Sequence, residues 1–335
     1  MAPTVTDTPV ASDGLLSLLA ARLPQSFPVY RRLQFTRLPG GTTPHSHVLF
    51  AREDPASSSS SSSPETAKQP RHFAAAYLDF SRSPSTEMFF YSTLEGGGGD
   101  PTAAEQQQQP LSAAEQDECL DLTVALLRHV RQIGLAHDAA LAEAGSPPRR
   151  HARGVMVGSM HEGTRALLLG RRGLATSYWN PHDKWLFRVE GLPAGLPDPT
   201  AGGSGMRWDA ARRGDLGLIV SRTHLPKDEE AMMVVPSTVL RLGDGTPVAW
   251  AFLGNDGSLS TLHCEEQYRG RGIAKAVACR TIQESNKLFG GDGWASADVH
   301  IDNLQSQGVC KSIGGKKAWR IAWTIINFDS LRDSN

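Results

Sequence analysis

The stretch Ser258–Ala274, SLSTLHCEEQYRGRGIA, decides the fold of this 335-residue chain. It begins with a short apolar segment that predicts a strand, passes through a charged turn and ends in a loop with Gly270 and Gly272. A helical pattern, AKAVACRTIQESNKLF, follows the loop directly. Such a junction directs several free backbone N–H groups and the positive end of a helix at one point. The stretch therefore predicts an anion site, and a phosphate is the commonest occupant of such a site.

Three phosphate-binding patterns can be compared with this loop. A P-loop requires Gly-Lys-Ser/Thr at its end, whereas Gly272 is followed by Ile273 and Ala274. A dinucleotide fingerprint requires a third glycine where the chain has Lys275. The third pattern, Gln/Arg-x-x-Gly-x-Gly/Ala, is met by QYRGRG at Gln267–Gly272. Two nearby glycines often make a simple turn, so the context of the loop has to decide.

Composition excludes several classes of protein. The net charge of −1, from 34 basic and 35 acidic residues, provides no overall field that would attract nucleic acid or an anionic membrane. No run of eighteen apolar residues predicts a spanning helix, and MAPTVTDTPVASDG does not resemble a signal peptide. The four cysteines lie far apart without Cys-x-x-Cys spacing, which indicates reduced thiols and no metal site. We therefore expect a protein of the cytoplasm or nucleus.

The first half of the chain alternates apolar segments with low-complexity stretches. DGLLSLLAA, behind Ser12 or Asp13 as a cap, predicts a helix. Serine-rich and Gly/Gln-rich stretches at 55–70 and 96–112 predict flexible insertions, and Ser57–Ser63 forms the centre of the first. Four further segments predict strands: PVYRRLQF, HVLFARED, FAAAYLDF and EMFFYSTL.

A long helix is predicted from Ser112 onward. SAAEQDECLDLTVALLRHVRQIG has apolar residues at helical intervals, Ser112 and Glu115 form a capping box, and Gly134 is the expected end. RGVMVGSM and KWLFRVEGL then predict strands on either side of a bend rich in glycine and arginine. The bend contains GRRGLA at 170–175, a faint repeat of the later loop. We interpret this repeat as chance or a relic, because no strand, Asn and helix follow it in the matching order.

The segment GLPAGLPDPTAGGSG at 191–205 predicts a linker, since it is rich in proline and glycine. It separates a first domain, 1–190, from a second domain, 206–330. In the second domain, turns at Gly243-Asp244-Gly245 and Asn255-Asp256-Gly257 separate three predicted antiparallel strands. The glycine loop and helix, the strand WASADVH, a short helix at Asn303–Ile313 and the strand WRIAWTIINF follow in that order.

A second motif strengthens the interpretation of the loop. The order of elements, with Gln-x-x-Gly-x-Gly at the start of a helix, resembles the GNAT acyltransferase superfamily. There an Asn follows the next strand, a small residue stands three positions on, a tyrosine commonly seven positions on, and a Gly-Phe pair comes later. Here Asn303, Ser306, Cys310 and Gly314-Gly315 stand at those positions, so the tyrosine and the phenylalanine are absent.

The resemblance can be narrowed to one branch of this superfamily. GTPVAW, EQYRGRGIA and ADVHIDN, together with the N-terminal LLSLLAARLPQSFPVY, are similar to the glycine N-acyltransferase-like branch. The resemblance implies an α+β GNAT fold, with a mixed, mainly antiparallel sheet and flanking helices. It also implies that a degenerate GNAT-like lobe precedes the second domain.

The resemblance further implies acetyl-CoA or another acyl-CoA as co-substrate. The diphosphate would lie on backbone N–H groups of the loop, where glycine removes the obstructing Cβ, and two arginines would add charge-assisted bonds. The pantetheine arm would pair like an extra strand with the segment before the loop, opposite Asn303. In a purely structural interpretation, the arginines are solvated and Asn303 only caps its helix. The predicted cofactor-binding residues are Leu262, His263, Cys264, Gln267, Arg269, Gly270, Arg271, Gly272, Ile273, Ala274, Asn303 and Ser306.

Acyl transfer to an amine also requires a base. At pH 7 only about one molecule in a thousand of an amine with a pKa near 10 is neutral, so a base increases the rate greatly. The resemblance implies a glutamate at the start of the strand before the loop, where the chain has Ser258, which cannot serve. The neighbouring alternatives are Asp256, His263, Asp298 and His300. We predict Asp298 and His263 first, although a structural role also explains each of them.

Cys310, at the position of the family tyrosine, is the predicted proton donor to the departing thiolate. In the alternative interpretation it is a small buried hydrophobic residue.

The sequence thus predicts an acyl-CoA-dependent N-acyltransferase, with acetyl as the expected acyl group and direct attack of the amine. The acceptor is expected to be a small-molecule or peptide amine, with no role for nucleic acid or membrane. Two alternatives stay open. The missing glutamate suits a CoA-binding or interaction module that has lost its chemistry, and the glycine loop would also suit a nucleotide-binding protein.

Overall fold

The computed structural model describes residues 3–53, 69–83, 85–96, 110–223 and 229–332. Most of the two predicted insertions, including Ser57–Ser63, lies outside these ranges. The chain divides into two compact units, one formed by residues 1–38, 42–181 and 320–335 and the other by 39–41 and 182–319. No helix in the described ranges is both long and apolar enough to cross a membrane.

The first unit is a mainly antiparallel sheet with helices against it. Its strands follow the order β1-β2-β3-β4-β5-β12, and the β4–β5 pair, which joins Met88 to Val157, is parallel. The strands are β1 (Pro3–Thr8), β2 (His47–Glu53), β3 (Ala74–Leu78), β4 (Met88–Ser92), β5 (Gly154–His161) and, from residue 320 onward, β12 (Lys316–Asn327). The helices are α1 (Asp13–Ala20), α2 (Phe27–Phe35), α3 (Ala113–Glu143) and α4 (Glu162–Arg172).

The second unit repeats this plan with the strand order β6-β11-β10-β9-β8-β7. Its β10–β11 pair is parallel and the others are antiparallel. The strands are residues 182–188 of β6 (Thr176–Arg188), then β7 (Arg207–Asp209), β8 (Ser237–Arg241), β9 (Pro247–Leu253), β10 (Ser258–Cys264) and β11 (Trp294–His300). The helices are α5 (Leu216–Ser221), α6 (Glu229–Val234), α7 (Ile273–Leu288) and α8 (Leu304–Ser312). The predicted α+β fold, a largely antiparallel sheet with flanking helices, is confirmed.

Two hydrophobic clusters cover the faces of the second sheet. On one face Val277 and Ile282 of α7 pack with Leu259 and Ala297 of the strands. On the other face the side chains come from α5, α6, β8 and β9, and they include Leu216, Ile219, Met232, Val239, Trp250 and Phe252. The sheet therefore has an α7 side and an opposite side, which is the distinction that matters for the site.

Each unit contains a strand that lies on the other side of the predicted linker 191–205 in the sequence. β12, the last strand of the chain, pairs with β5 through Ile321–Asn327. β6, which precedes that linker, pairs with β11 from Arg188 opposite Trp294 to His182 opposite His300. The Pro/Gly-rich segment 191–205 follows β6 inside the second unit. Its two leucines, Leu192 and Leu196, pack on the α7-side core.

One predicted strand is wrong. PVYRRLQF forms helix α2, which has Pro28 in its first turn, where proline is tolerated because it has no amide hydrogen to lose. Val29 and Leu33, four residues apart on one face, are fully buried. The guanidinium of Arg32 lies 3.5 Å from the centre of the Tyr77 ring, so a charged residue is also buried on this helix. The apolar residues of this segment are spaced as in a helix, but the two arginines between Val29 and Leu33 hide the pattern in the sequence.

Helix α3 begins where predicted but ends later. The capping box of Ser112 and Glu115 is present, whereas Gly134 lies inside the helix, which continues to Glu143. A Cβ at Gly134 would stand 2.6 Å from Cε2 of Phe328 and 3.0 Å from Cζ of Phe80. The glycine is therefore needed for close packing of two aromatic rings, and not for a helix end.

The predicted bend rich in glycine and arginine is mostly a helix. Residues 162–172 form α4, which ends at Gly173 in the left-handed conformation with φ +64°. Arg171 and Arg172 bind Asp117 of α3 at 2.7 and 2.9 Å. GRRGLA thus lies at the carboxyl end of a helix, which has the opposite polarity to an anion site.

Candidate functional site

The glycine loop leaves the start of α7 open. Gly272 is the N-cap residue with φ +76°, and no side chain caps the helix. The first helical bond runs from Ala276 N to Gly272 O at 3.0 Å. In the described parts of the chain, the amides of residues 270–275 donate no hydrogen bond. These donors and the positive end of α7 make a ready anion site.

Space is available in front of these amides. A Cβ at Gly270 would meet no atom within 4 Å, and a Cβ at Gly272 would meet only Cδ of Pro197 at 3.9 Å. Arg269 Nε donates to the carbonyl oxygen of Cys264 at 3.0 Å and so ties the loop to the end of β10. Arg271 lies 5.7 Å from the centre of the Tyr268 ring. Neither arginine pairs with a carboxylate of the described residues, so both charges are available to an anion.

The long helix of the first unit provides a contrast. At the start of α3, Ser112 Oγ accepts from Glu115 N at 3.3 Å, and Glu115 Oε2 accepts from Ser112 N at 2.9 Å. Arg71 binds the same carboxylate at 2.5 Å. A carboxylate of the chain itself therefore occupies this helix start, and of the two long helices α7 is the one that offers its amides to a ligand.

Next to the loop, β10 separates from β11. The two strands pair only at Ser258 with Ser296 and at Leu259 with Ala297. From Ser260 to Cys264, β10 pairs with β9 alone among the described strands. The predicted backbone residues Leu262, His263 and Cys264 therefore lie along a free strand edge that points toward the glycine loop.

A β-bulge in β10 decides which side chains face each side of the sheet. Thr261 and Leu262 oppose the single residue Ala251, and Thr261 has φ +52°, an unfavourable conformation for a β-branched residue. The extra residue inverts the alternation of side chains beyond it. As a result His263 stacks on Trp250, with ring centres 4.7 Å apart, on the side opposite α7.

The structure places His263 beside an ion pair. Its Nε2 lies 3.7 Å from Oε1 of Glu265, and that oxygen accepts a hydrogen bond from Arg222 Nε at 2.9 Å. Burial is the main cause that lowers the pKa of His263, which favours the neutral imidazole. A neutral imidazole can accept a proton. The bulge, however, separates His263 from Ser258 and Leu259, the residues at which β10 pairs with β11.

Asp298 forms a buried ion pair that the sequence did not reveal. Its Oδ1 lies 2.5 Å from Nζ of Lys184, and the two side chains are 4% and 0% exposed. The residues stand opposite each other in the β6–β11 register. No local pattern joins them, because β6 and β11 are far apart in the sequence.

Asp256 brings a second carboxylate to the start of β10. Its Oδ1 accepts from Ser258 Oγ at 2.8 Å and from Ser258 N at 3.3 Å. A Cβ at Gly254 would stand 2.4 Å from this oxygen, so the turn requires glycine there. Burial first, and then the charge of Asp298, raise the pKa of Asp256. A carboxyl group thus lies against Ser258, the position where the resemblance implied a glutamate.

Cys310 lies on α8 within the α7-side core and is 4% exposed. Burial raises the pKa of its thiol to about 12. A thiol with this pKa gives up its proton less readily than an exposed cysteine, which favours the structural interpretation of this residue.

Asn303 is the N-cap of α8, and its Oδ1 accepts from Ser306 N at 3.0 Å. The cap uses the oxygen only, so the amide nitrogen of this exposed side chain can still donate to a ligand. Gln267 lies in the exposed turn Glu266–Tyr268, while Ile273 packs into the α7-side core and Ala274 against it. The described residues contain no cluster of His, Cys, Asp and Glu suited to a metal ion.

Solved structures similar to the chain include acetyltransferases. The X-ray structure of a Drosophila protein, a structural genomics target, is 15% identical, covers 97% of this chain and 99% of its own, and has a TM-score of 0.58. A tandem GNAT protein from the clavulanic acid biosynthesis pathway is 12% identical over 99% and 100%, with a TM-score of 0.49. A GCN5-related N-acetyltransferase from Kribbella flavida is 12% identical over 76% and 86%, with a TM-score of 0.41.

None of the curated proteins matches the sequence significantly. A family model does: the N-terminal domain of the acyl-CoA N-acyltransferase verG matches residues 2–185, more than half of the chain. That range contains the first unit up to β6 and includes Lys184, the partner of Asp298. The chain therefore belongs to the family defined by the N-terminal domain of the acyl-CoA N-acyltransferase verG.

Proposed function

We propose that the chain transfers an acetyl group from acetyl-CoA to the amine of a small molecule or peptide, and that the second unit carries out the reaction. The observation that supports this proposal most strongly is the open start of α7, where the amides of residues 270–275 have no acceptor within the described chain. The start of α3, the long helix of the first unit, is occupied by its own capping box and offers no such site.

The diphosphate of CoA would accept hydrogen bonds from these amides. Gly270 and Gly272 allow the phosphate oxygens to approach the backbone, and Arg269 and Arg271 would add positive charge, since neither is paired with a carboxylate of the described residues. A positive charge at a helix start is unfavourable unless an anion is present, so the two arginines are better explained by a bound diphosphate than by chance.

The pantetheine arm would continue from the loop along the free edge of β10. Backbone groups of Leu262, His263 and Cys264 would pair with its amides like a neighbouring strand, and Asn303 would donate from the far side through its side-chain nitrogen. The thioester would then reach the point where β10 and β11 meet, between Leu259 and Ala297.

The chemistry would be direct attack of the neutral amine on the thioester carbonyl. The tetrahedral intermediate would collapse to the amide and CoA, and the proton lost from nitrogen would be passed to the departing thiolate. A cysteinyl-enzyme intermediate is disfavoured because burial raises the thiol pKa of all four cysteines, which are Cys119, Cys264, Cys279 and Cys310.

A thiol-release assay with acetyl-CoA and a panel of amines tests the proposal. The panel should contain amino acids, polyamines, arylalkylamines and short peptides, and CoA, acetyl-CoA and ATP should be compared as ligands in thermal unfolding. We expect stabilisation by CoA and acetyl-CoA, none by ATP at equal concentration, and amine-dependent thiol release. Stabilisation by ATP alone would favour a nucleotide-binding protein, and CoA binding without turnover on any amine would favour a module without chemistry.

A further inference from the structure

A group of ionisable and hydroxyl side chains is buried on the side of the second sheet opposite α7. Every side chain in it is at least nine-tenths buried, although burial of charge is costly. β6, β10, β11 and the turn before β10 contribute to it. The group consists of Lys184, Asp256, Ser258, Ser296 and Asp298.

The group contains one cation and two carboxyl groups. Lys184 is committed to Asp298 at 2.5 Å, which leaves Asp256 with Ser258 as its hydrogen-bonding partner. Asp256 Oδ2, Asp298 Oδ2 and Ser296 Oγ have no hydrogen-bond partner among the described residues. Native proteins rarely leave buried polar atoms in this state, so these atoms indicate a ligand or water that they contact.

The group lies at the closed end of the gap between β10 and β11. Ser258 and Ser296 form one of the two parallel pairs, directly before the strands separate. The proposed diphosphate site is at the start of α7, on the α7 side of the sheet. An amine that attacks a thioester held from that side has to approach from the opposite side, where this group lies.

On the basis of the proposed function, we propose that Asp256 takes the proton of the acceptor's ammonium group through the hydroxyl of Ser258. The ion pair of Lys184 and Asp298 lies beside this path. The ammonium would donate a proton to Ser258 Oγ as Ser258 passes its own proton to Asp256 Oδ1, 2.8 Å away. The neutral amine would then attack the thioester, and Asp256 would return the acquired proton to solvent after product release.

Asp256 suits this step better than the two residues predicted from sequence. Asp298 is held by Lys184, and His263 stacks on Trp250 beyond the bulge. The charged groups that face Asp256 are Asp298 on β11 and Lys184 on β6; burial and Asp298 raise its pKa, while Lys184 opposes them. A base whose pKa moves toward neutrality is a more effective proton acceptor than an ordinary carboxylate.

The test is Asp256→Asn, which retains an oxygen acceptor for Ser258 and removes the proton-accepting function. We expect kcat to fall by about 10²–10⁴-fold with the KM for acetyl-CoA unchanged. The native enzyme should lose kcat/KM as the pH falls through the raised pKa of Asp256, and the variant should lack this acid limb. Ser258→Ala should reduce kcat, because it interrupts the path to Asp256.

Thermal unfolding at pH 7 separates this role from a structural one. Because a raised pKa disfavours the charged form in the folded state, Asp256→Asn should leave the melting temperature unchanged or higher. Activity within threefold of native, or a retained acid limb, would overturn the proposal while the native enzyme still supports the proposed function. A native chain that binds CoA without turnover would overturn both.

Discussion

Gly272→Asp addresses the proposed diphosphate site directly. The new carboxylate would stand at the N-cap of α7, about 4 Å from a phosphate oxygen held by the following amides. At an effective dielectric constant of about 20, two unit charges at that distance repel by about 4 kcal/mol. This energy corresponds to a loss of about 1,000-fold in CoA affinity. Pro197 Cδ would be 3.9 Å from the new Cβ, so steric conflict is not expected.

The matched control is Gly173→Asp. Gly173 has φ +64° at the end of α4, close to φ +76° at Gly272, and no atom lies within 4 Å of its hypothetical Cβ. Both variants add one negative charge and place a non-glycine residue at positive φ. The positive φ should cost each variant about 1 kcal/mol in folding free energy. Titration calorimetry with CoA should show weak binding by Gly272→Asp and native affinity for Gly173→Asp. Native affinity in both, or equal losses in both, would refute the assignment.

Three further predictions concern the second unit. Lys184→Ala should lower the free energy of unfolding by about 3–5 kcal/mol, because it leaves Asp298 buried and unpaired. Urea unfolding of this variant and of the double variant Lys184→Met/Asp298→Leu checks the prediction. Only the single variant should be strongly destabilised, since the double variant removes both charges of this ion pair. Thr261→Gly should raise the free energy of unfolding by about 1 kcal/mol, because glycine adopts φ +52° without strain; a loss of stability in urea would show that the threonine side chain contributes more than its backbone costs. A fragment of residues 182–319 should show a circular dichroism spectrum closer to that of a folded α+β domain than a fragment of residues 206–330, which lacks the strand paired with β11. Equal spectra would contradict this prediction.

The glycine loop could be predicted because its determinants are local. A strand, two glycines three to five residues after Gln267 and an immediate helix define both the conformation and the free amides. The capping box at Ser112 and the hairpin turn at Gly245 were predictable for the same reason, since each depends on residues within one turn.

The buried polar group could not be predicted, because pairing between strands that are far apart in the sequence assembles it. Lys184 reaches Asp298 only through the β6–β11 register, and nothing near Lys184 in the sequence indicates that partner. The bulge was hidden for another reason: its positive-φ residue is Thr261, whereas glycine is the usual signal. β1 was missed because PTVTDT is an edge strand with mostly exposed side chains and weak apolar alternation.

The most direct measurement is amide hydrogen exchange of residues 270–275 with and without CoA. These N–H groups donate no hydrogen bond in the described chain, so they should exchange rapidly without ligand. Bound diphosphate should slow their exchange, whereas pantetheine, which lacks the diphosphate, should not. The start of α3, already capped by Glu115, should be unaffected. Unchanged exchange at 270–275 under saturating CoA would contradict the proposal that these amides hold the cofactor.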